Sequence, residues 1–503
     1  MLSTFLPAGL SAKGHVNRHK GVKLGHPEGV IMATDPKVSR REFFRTGAMT
    51  SAGVAAFGGI TFLARPDRVF GANDRVRVAV CGIHGRGMDH VRGFHRLKNV
   101  EIAAICDPDE NVLQERLPQM EKLGISKPKT FVDIRRLLED KSIDAISIAT
   151  PNHWHALMGI WACQALKDAY IEKPCCHNLW EGRQLVKAAQ KYGRIVQHGS
   201  QIRSAPALQE AVRGMREGLL GEVYMARGLC FKWRDTIGRA PEQPVPAGVH
   251  YDLWTGPAKL LPFSKNHFHY NWHWNWNYGN GDLGNQGIHQ VDVARWGLGV
   301  GFPNRVSAAG GHFMFDDDQE TPNTLVCSFE YDMPDGKRKM LEVEVRHWIS
   351  NREAGIGSAA FGKAQGPIPT TGIGAIQGGR NTIGDIFYGS KGYLATGDED
   401  VCAFQTWFGE KQEPGPHQQA AGDHYANFID CVVSRRKENL NAPIEEGYVS
   451  TGLVHLANAS YRLRRSLRFD PENQQVPGDD EANNLLRDGD RGYRAPYQVP
   501  EEV

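Results

Sequence analysis

The chain has 503 residues, of which 41% are hydrophobic and 23% are charged, and its formal net charge is +2. That composition is typical of a globular protein with two or three domains. The nearly balanced charge argues against nucleic acid or an anionic membrane as the main partner. The nine cysteines include no C-x-x-C pair, so we expect reduced core thiols rather than a zinc site.

Residues 1–72 are predicted to be a leader and an export signal. Twin arginines, Arg40-Arg41, stand just before Phe43-Phe44, and no charged residue occurs from Thr46 to Leu63. That run is long enough to be considered as a membrane span. The arginine pair and the glycine and alanine content are instead typical of a Tat-type signal, which predicts export to the periplasm without a stable membrane anchor. The cleavage site and the true start are left open, with Met32 as an alternative start.

A glycine-rich turn follows the first predicted strand, Val76–Cys81. In the run Gly82-Ile83-His84-Gly85-Arg86-Gly87, two glycines match the first and third glycines of the dinucleotide fingerprint. His84 replaces the second glycine. The first glycine permits a tight turn, the third permits close packing of helix on strand, and the helix start cradles a pyrophosphate. The turn is therefore predicted to bind a dinucleotide through Gly82, Ile83, His84, Arg86 and Gly87.

An acidic residue ends the second predicted strand, Val100–Cys106. Asp107 lies twenty residues beyond Gly87, where an acid accepts hydrogen bonds from the adenosine ribose. No arginine follows directly to receive a 2′-phosphate, so the sequence favours NAD over NADP. An N-cap of the helix that begins near Asn111 is an alternative role for Asp107, and both roles can hold together.

The stretch Tyr170-Ile171-Glu172-Lys173-Pro174 ends another predicted strand. Strands and helices alternate as far as Ser200, which predicts a doubly wound parallel sheet over residues 73–200. In such a sheet the carboxyl ends of the strands face the ligand crevice. Lys173 is therefore a candidate general acid–base. The alternative is a solvated loop lysine.

Together the turn Gly82–Gly87, Asp107, the run Ala149–His153 and Glu172-Lys173-Pro174 resemble the Gfo/Idh/MocA oxidoreductases over about residues 75–465. The resemblance implies an α/β fold: a Rossmann domain, then a domain over 201–469 with a large, mainly antiparallel sheet. The open face of that sheet would form a homo-oligomer contact. Lys173 would be the catalytic lysine beside the nicotinamide. In many members of the family the Lys-Pro bond is cis. Further cofactor contacts are expected from Thr150, Asn152, His155 and Glu172.

Aromatic and amide residues alternate densely over Phe268–Tyr278. Flat rings between hydrogen-bonding groups suit sugar faces and hydroxyls, so Trp274 and Trp276 are predicted to contact substrate. Tryptophans that fill a domain interface are the alternative. A glycine-rich segment further on, 355–379, is predicted to be a lid.

The run Gly279–Asp292 resembles the family's second catalytic signature, an aspartate, a histidine four residues later and an acid three beyond. His289 and Asp292 match the later positions, but Asn285 stands where related dehydrogenases carry aspartate. An amide cannot take a proton, so a relay through Asn285 is in doubt, while His289 can still act as a base. We predict Asn285 and His289 as catalytic, and Asp282 and Asp292 as substrate contacts.

These observations predict an NAD(P)-dependent oxidoreductase that acts on a sugar or cyclic polyol hydroxyl by hydride transfer, without a metal. Because an exported enzyme meets little free NAD, its cofactor is expected not to dissociate. One alternative is a glycosidase-like cycle of oxidation, elimination and reduction. Another is a catalytically weak periplasmic sugar-binding protein, which His84 and Asn285 favour. Residues 470–503 are predicted to form a polar arm over a partner subunit.

Overall fold

The computed structural model describes residues 54–57, 60–63, 75–363, 381–489 and 491–503. Arg40-Arg41, most of the predicted signal and residues 364–379 of the predicted lid lie outside these ranges. Strands β1 (Val54–Phe57) and β2 (Ile60–Leu63) pair antiparallel. No helix in the described ranges has both the length and the apolar character needed to cross a membrane.

A six-stranded sheet with the order β5-β4-β3-β6-β7-β8 forms the first layer, and every neighbouring pair in it is parallel. Its central strands are buried along most of their length, as expected for a sheet covered on both faces. The strands are β3 (Val76–Cys81), β4 (Val100–Cys106), β5 (Lys129–Phe131), β6 (Ala145–Ile148), β7 (Asp168–Ile171) and β8 (Val196–His198).

Helices cover both faces of this sheet. One face packs against α1 and α2, and the other against α3, α4 and α5, so that each face has its own apolar core. The helices are α1 (Arg86–His95), α2 (Glu110–Lys122), α3 (Ile134–Leu138), α4 (Asn152–Gln164) and α5 (Leu179–Lys191). The predicted N-cap of α2 is wrong: Asp109 rather than Asp107 accepts the hydrogen bond from the amide of Asn111 (3.0 Å).

A nine-stranded sheet with the order β16-β15-β14-β13-β9-β12-β11-β10-β17 forms the second half. Only β9 and β12 pair parallel among its neighbouring strands in the described ranges; the other pairs are antiparallel. The predicted fold class is therefore confirmed. The strands are β9 (Val223–Phe231), β10 (Arg305–Gly311), β11 (Thr324–Asp332), β12 (Arg338–Arg346), β13 (Thr382–Gly389), β14 (Gly392–Gly397), β15 (Ala403–Phe408), β16 (Glu413–Gln419) and β17 (Leu467–Arg468).

Most helices of the second half contribute to the largest apolar core, which lies on one face of the nine-stranded sheet. Helix α9 contributes Ile288, Val291 and Ala294 to that core, opposite Phe329 and Val343 of the sheet. The helices are α6 (Pro206–Arg216), α7 (Tyr251–Thr255), α8 (Gly281–Asn285), α9 (Gly287–Leu298), α10 (His424–Ser434), α11 (Ile444–Leu463) and α12 (Asp480–Leu485). Short 3₁₀ helices span Gln201–Ser204, Lys265–His267, His269–Trp274 and Lys437–Asn439.

The late segments of the chain return to the first sheet. Phe428 and Val432 of α10 join the core beneath α1, and Tyr497 and Val499 join the core beneath α4. The amide of Trp180 donates to the carbonyl of Leu486 at 3.1 Å. Much of the segment 470–503, predicted as an arm over a partner, thus packs on its own chain.

The turn after β3 depends on glycine at both ends. Gly82 has φ +78°, and a Cβ added there would lie 2.7 Å from the carbonyl oxygen of Ala149. A Cβ on Gly87 would lie 1.9 Å from the carbonyl oxygen of Gly82. Neither space can admit a methyl group, so the first turn of α1 sits directly on the end of β3.

We expect Gly87→Ala to destabilise the protein by about 1–3 kcal/mol, because the added methyl overlaps a backbone oxygen that cannot move freely. Gly85→Ala is the matched control, since a Cβ there would meet nothing within 4 Å. Chemical denaturation of both variants checks this. Equal stability of the two variants would contradict the packing described here.

Candidate active site

A cavity of about 470 Å³ opens at the carboxyl ends of β3, β4, β6 and β7. Its other walls come from α8, α9 and the segment 241–278, which we call the strap. Predicted site residues that line it are Gly82, His84, Arg86, Asp107, Thr150, Asn152, His155, Glu172, Lys173, Asn285 and His289. Residues predicted from separate stretches of the chain thus line one cavity.

The two predicted cofactor residues that do not line the cavity support the glycine turn instead. The amide of Ile83 donates to Asp107 Oδ2 at 2.9 Å, and Gly87 packs against Gly82. Arg116 of α2 donates to the carbonyl oxygens of Ile83 (3.3 Å) and His84 (2.6 Å). The carboxylate of Asp107 and the guanidinium of Arg116 therefore hold the turn in place.

Asp107 is nearly buried, with 6% of its surface exposed, and burial raises its pKa to about 6. Its Oδ1 accepts from the amide of Asp109 at 3.0 Å. The carboxylate thus orders the turn, and because it also lines the cavity it can accept from a ligand hydroxyl.

The carboxylate of Glu172 accepts hydrogen bonds from four different residues. It accepts from Arg86 Nε (3.0 Å), His90 Nε2 (2.9 Å) and Gln201 Nε2 (2.8 Å), and its Oε2 accepts from the amide of Lys173 (3.1 Å). Burial raises its pKa, but the charge of Arg86 and the bond from His90 outweigh it, so the pKa of Glu172 is well below its usual range. An ionised carboxylate thus fixes the backbone at Lys173.

Lys173 reaches from the end of β7 to α8. Its Nζ donates to the carbonyl oxygen of Asn285 (2.5 Å) and contacts Asn285 Oδ1 (3.4 Å). Burial lowers the pKa of Lys173, opposed by the charge of Glu172. The Lys173–Pro174 bond is cis. The amine is thus presented to the cavity by groups from both halves of the chain.

His289, on α9, is 4% exposed, and burial lowers its pKa. The imidazole is therefore neutral near pH 7 and can take up a proton. Its Nδ1 is buried and has no hydrogen-bond partner among the described residues.

Glu399 also lines the cavity and was missed by the sequence reasoning. It lies between β14 and β15, and its Oε1 is 3.8 Å from His289 Nε2. Nothing in the acidic run Asp398-Glu399-Asp400 distinguishes it from a solvated loop. Only the folding of the hairpin over α9 brings it to the site.

Three predicted cofactor residues after β6 are buried in the cavity wall: Thr150, Asn152 and His155. His155 lies between two carbonyl oxygens, those of Pro174 (2.6 Å) and Thr150 (2.7 Å). Burial lowers its pKa. The ring thus ties the turn after β6 to the turn after β7.

The strap lies across the carboxyl end of β4 in the first sheet. The amide of Glu110 donates to Gly248 O and the amide of His250 donates to Pro108 O, both at 2.9 Å. Further along the strap, the rings of His84 and His269 stack with centroids 4.0 Å apart. The strap adds lining residues that the sequence did not single out: Leu253, Trp254, His269, Tyr270, Trp272 and His273.

None of the four predicted substrate contacts lines the cavity. Asp282 is 1% exposed and pairs with Arg234 at 2.6 Å, and Trp274 lies 4.9 Å beneath the same guanidinium. Arg234 itself does line the cavity. Asp282 and Trp274 therefore position Arg234, which reaches the cavity in their place.

Asp292 and Trp276, the other two predicted substrate contacts, do not reach the cavity wall either. Asp292 is fully buried, its carboxylate paired with Arg203 at 2.7 and 2.9 Å and bonded by Ser450 Oγ at 2.6 Å. Its oxygens are thus engaged within the core, which contradicts a substrate contact. Trp276 lies at a second cavity of about 220 Å³, with the guanidinium of Arg462 5.3 Å from its ring.

The residues present fit a nicotinamide dinucleotide. Gly82 and Gly87 allow the tight turn and the close packing of helix on strand that the dinucleotide-binding fold requires, since a side chain at either position would overlap backbone. An acid follows β4, and polar groups continue along the strand ends to Lys173. Gly82, His84, Arg86 and Asp107 would hold the adenosine and pyrophosphate, and Thr150, Asn152, His155 and Glu172 the remainder.

Comparisons with known proteins agree with this fit. The profile of the NAD-binding Rossmann fold of the Gfo/Idh/MocA oxidoreductase family matches residues 76–200. The profile of the family's C-terminal alpha/beta domain matches residues 213–324 and 404–499. The two profiles together cover more than half of the chain.

A glycosyl hydrolase family 109 protein of Shewanella pealeana is 29% identical over 37% of this chain. That match spans 44% of the relative's own length. A second relative with the same description, from Shewanella woodyi, is 31% identical over 29% of this chain and 32% of its own length.

Two solved structures share the fold. WlbA dehydrogenase from Bordetella pertussis, in complex with NADH and UDP-GlcNAcA, has a TM-score of 0.56 and 18% identity, covering 79% of this chain and 98% of that one. Levoglucosan dehydrogenase, in complex with NADH and levoglucosan, has a TM-score of 0.54 and 16% identity, covering 78% and 99%.

With both family profiles matched in chain order, and with the glycine turn, the acid after β4 and Lys173 at one cavity, this chain belongs to the Gfo/Idh/MocA family of NAD-binding oxidoreductases.

Proposed function

We propose that the protein oxidises or reduces a sugar or cyclic polyol hydroxyl, with NAD as its cofactor. The observation that carries the proposal is the convergence of Lys173 and His289 on the cavity that the glycine turn and Asp107 also line. Two proton-handling groups beside a dinucleotide site suit a carbinol–carbonyl reaction. The relatives and structural neighbours that act on carbohydrate derivatives support this substrate class.

NAD bound in the cavity supplies the acceptor for the hydride of the carbinol carbon. Lys173 donates a hydrogen bond to the reacting oxygen, and the carbonyl of Asn285 holds the amine in place. His289, neutral near pH 7, takes the hydroxyl proton during oxidation and returns it during reduction. Arg234 and Lys232, which also line the cavity, are suited to grip further hydroxyls.

The strap supports a cofactor that stays bound through many turnovers. It joins α2 through the backbone bonds at Pro108 and Glu110, and its His269 ring stacks on the glycine turn. A ligand lying between turn and strap can leave only when these contacts break. In an exported enzyme this retention allows the cofactor to be reoxidised or reduced in place.

A glycosidase-like cycle is the second candidate, favoured by the description of the Shewanella relatives. Such a cycle oxidises a sugar hydroxyl, eliminates a neighbouring group and reduces the product, so that NAD is regenerated. It releases a leaving group without net formation of NADH, whereas a dehydrogenase forms NADH in proportion to product. Recording both signals across a sugar and polyol panel separates the two candidates.

Lys173→Ala should retain NAD but lose at least ~100-fold in turnover, the usual scale for a positioned acid–base group. Lys187→Ala, an exposed lysine on α5, is the control and should behave as the parent does. Turnover is followed on the best substrate of the panel. Parental turnover by Lys173→Ala would overturn the proposed function and leave a sugar-binding protein as the better description.

His289→Ala should be similarly damaging. The double change Lys173→Ala/His289→Ala should cost less than the product of the two single losses, because both residues serve one proton transfer. Kinetics of the four proteins measure this coupling. Fully independent losses would show that the two residues act in separate steps.

Protein purified without added nucleotide should carry NAD, released on acid denaturation. His269→Ala removes the ring stacked on His84 and should lower the bound fraction. His267→Ala, also in the strap but away from the cavity lining, should not. Free exchange of NAD by the parent would show that the strap does not retain the cofactor.

We also propose export through the Tat pathway, on the basis of the sequence before Thr46. Changing Arg40-Arg41 to Lys-Lys should leave the protein in the cytoplasm, while Arg45→Lys, outside the pair, should be exported normally. Fractionation of cells checks both. Normal export of the Lys-Lys variant would rule out a twin-arginine signal.

A further inference from the structure

We propose that Glu399 is the positioning residue of the active-site base: its carboxylate stabilises the protonated imidazole of His289 and takes the place of the acid absent at position 285. This inference rests on the proposed function, because it assigns the proton transfer at the same cavity. It adds a residue from a distant part of the chain.

The geometry brings the two groups together at the cavity wall, where His289 is buried and the side chain of Glu399 is 28% exposed. Glu399 Oε1 lies 3.8 Å from His289 Nε2, and both residues line the cavity. Glu399 Oε2 and His289 Nδ1 are buried and have no hydrogen-bond partner among the described residues. A carboxylate and an imidazole with spare hydrogen-bonding capacity thus face one another, and a small shift closes the pair.

Among the residues that the structure describes, no acid lies nearer to His289 than Glu399. Asn285 lies four residues before it, at the end of α8, but its side chain is an amide that contacts Lys173 Nζ through Oδ1 and Tyr270 Oη through Nδ2 (both 3.4 Å). Glu172 also faces the cavity, but its oxygens are engaged by Arg86, His90 and Gln201. Glu399 is therefore the carboxylate that remains to interact with the imidazole of His289.

The charges around the pair favour an ionised Glu399. His289 faces Glu399, Lys173, Glu172 and Arg86, and Glu399 faces His289, Lys173 and Lys232. Burial raises the pKa of Glu399, but His289 and the two lysines outweigh it and the pKa lies below its usual value. The flanking Asp398 and Asp400 add negative charge, and burial raises the pKa of Asp398 to about 6.

The proposed step moves one proton. During oxidation the substrate hydroxyl gives its proton to His289, and the positive charge that forms lies beside Glu399. The carboxylate stays ionised and lowers the free energy of the imidazolium in a medium of low dielectric constant. During reduction the same proton returns to the product oxygen, so no further reactant is needed.

The direction in which Glu399 shifts the pKa of His289 follows from its negative charge. Glu399 raises the pKa of His289, while burial and Lys173 lower it. Replacing Glu399 by glutamine keeps the shape and removes the charge, so the titration of His289 must move to lower pH. The acidic limb of the pH profile of kcat/KM moves the same way, and turnover falls because the base is weaker.

The test compares the parent with Glu399→Gln, Glu399→Asp and Asp400→Asn in the full protein. Asp400 is exposed and does not line the cavity, so its variant controls for the loss of one charge from the same loop. NMR titration of labelled histidines, with His289 assigned from its disappearance in His289→Gln, reads the site without any substrate.

We expect the His289 resonance to titrate at lower pH in Glu399→Gln and to stay close to the parent in Asp400→Asn and Glu399→Asp. The turnover of Glu399→Gln should fall, but by less than the ~100-fold or greater loss expected for His289→Ala. Adding Asn285→Asp to Glu399→Gln should recover part of the loss, because it places a carboxylate at the cavity wall four residues before His289.

An unchanged titration of His289 in a folded Glu399→Gln protein would overturn the inference. If that happens while Lys173→Ala still loses turnover, only the role of Glu399 is wrong. If Lys173→Ala turns over normally, the proposed function fails, yet the NMR result still decides whether Glu399 holds the charge at His289. The Glu399→Asp variant guards against a change of fold, since it keeps the charge.

Discussion

The buried carboxylate of Glu172 is the constraint on which the site depends. It lies at the end of β7, where it accepts from Arg86, His90, Gln201 and the amide of Lys173. A buried charge is unfavourable unless it is fully paired. These donors therefore cannot move away without a large cost in free energy, because the carboxylate would remain buried without partners. Arg86 belongs to the glycine turn and Gln201 to the entry into the second half. One carboxylate thus ties the glycine turn, Lys173 and the start of the second half together.

The second half completes the cavity by crossing back over the first. The strap covers the strand ends of the first sheet, while α8 and α9 place Asn285 and His289 opposite Lys173. Asp282 and Trp274, which were predicted to contact substrate, instead hold Arg234 at the cavity wall. Polar groups buried next to a site are therefore as much a part of its geometry as those that line it, because they fix which cations and donors face inward.

The electrostatics of the cavity separate its ionisable groups into distinct states. Burial lowers the pKa of Lys173 and of His289, and the imidazole of His289 is neutral near pH 7. Glu172 and Glu399 remain ionised because cationic neighbours outweigh burial. Groups held in opposite states within one low-dielectric space can exchange a proton with a bound ligand without reorganising water.

The sequence by itself determined the parallel sheet, the glycine turn, Asp107 and Lys173, because each depends on local periodicity or on a short motif at a strand end. It singled out His289 through the resemblance of the run Gly279–Asp292 to a family signature. The tertiary structure alone decided which polar residues reach the cavity. Asp292 shares a helix with His289, yet its side chain turns to Arg203 in the core. Glu399 lies more than a hundred residues from His289 in sequence, and only the register of the nine-stranded sheet places the β14–β15 hairpin over α9. Side-chain direction and long-range pairing arise from packing between distant segments, which no local pattern encodes.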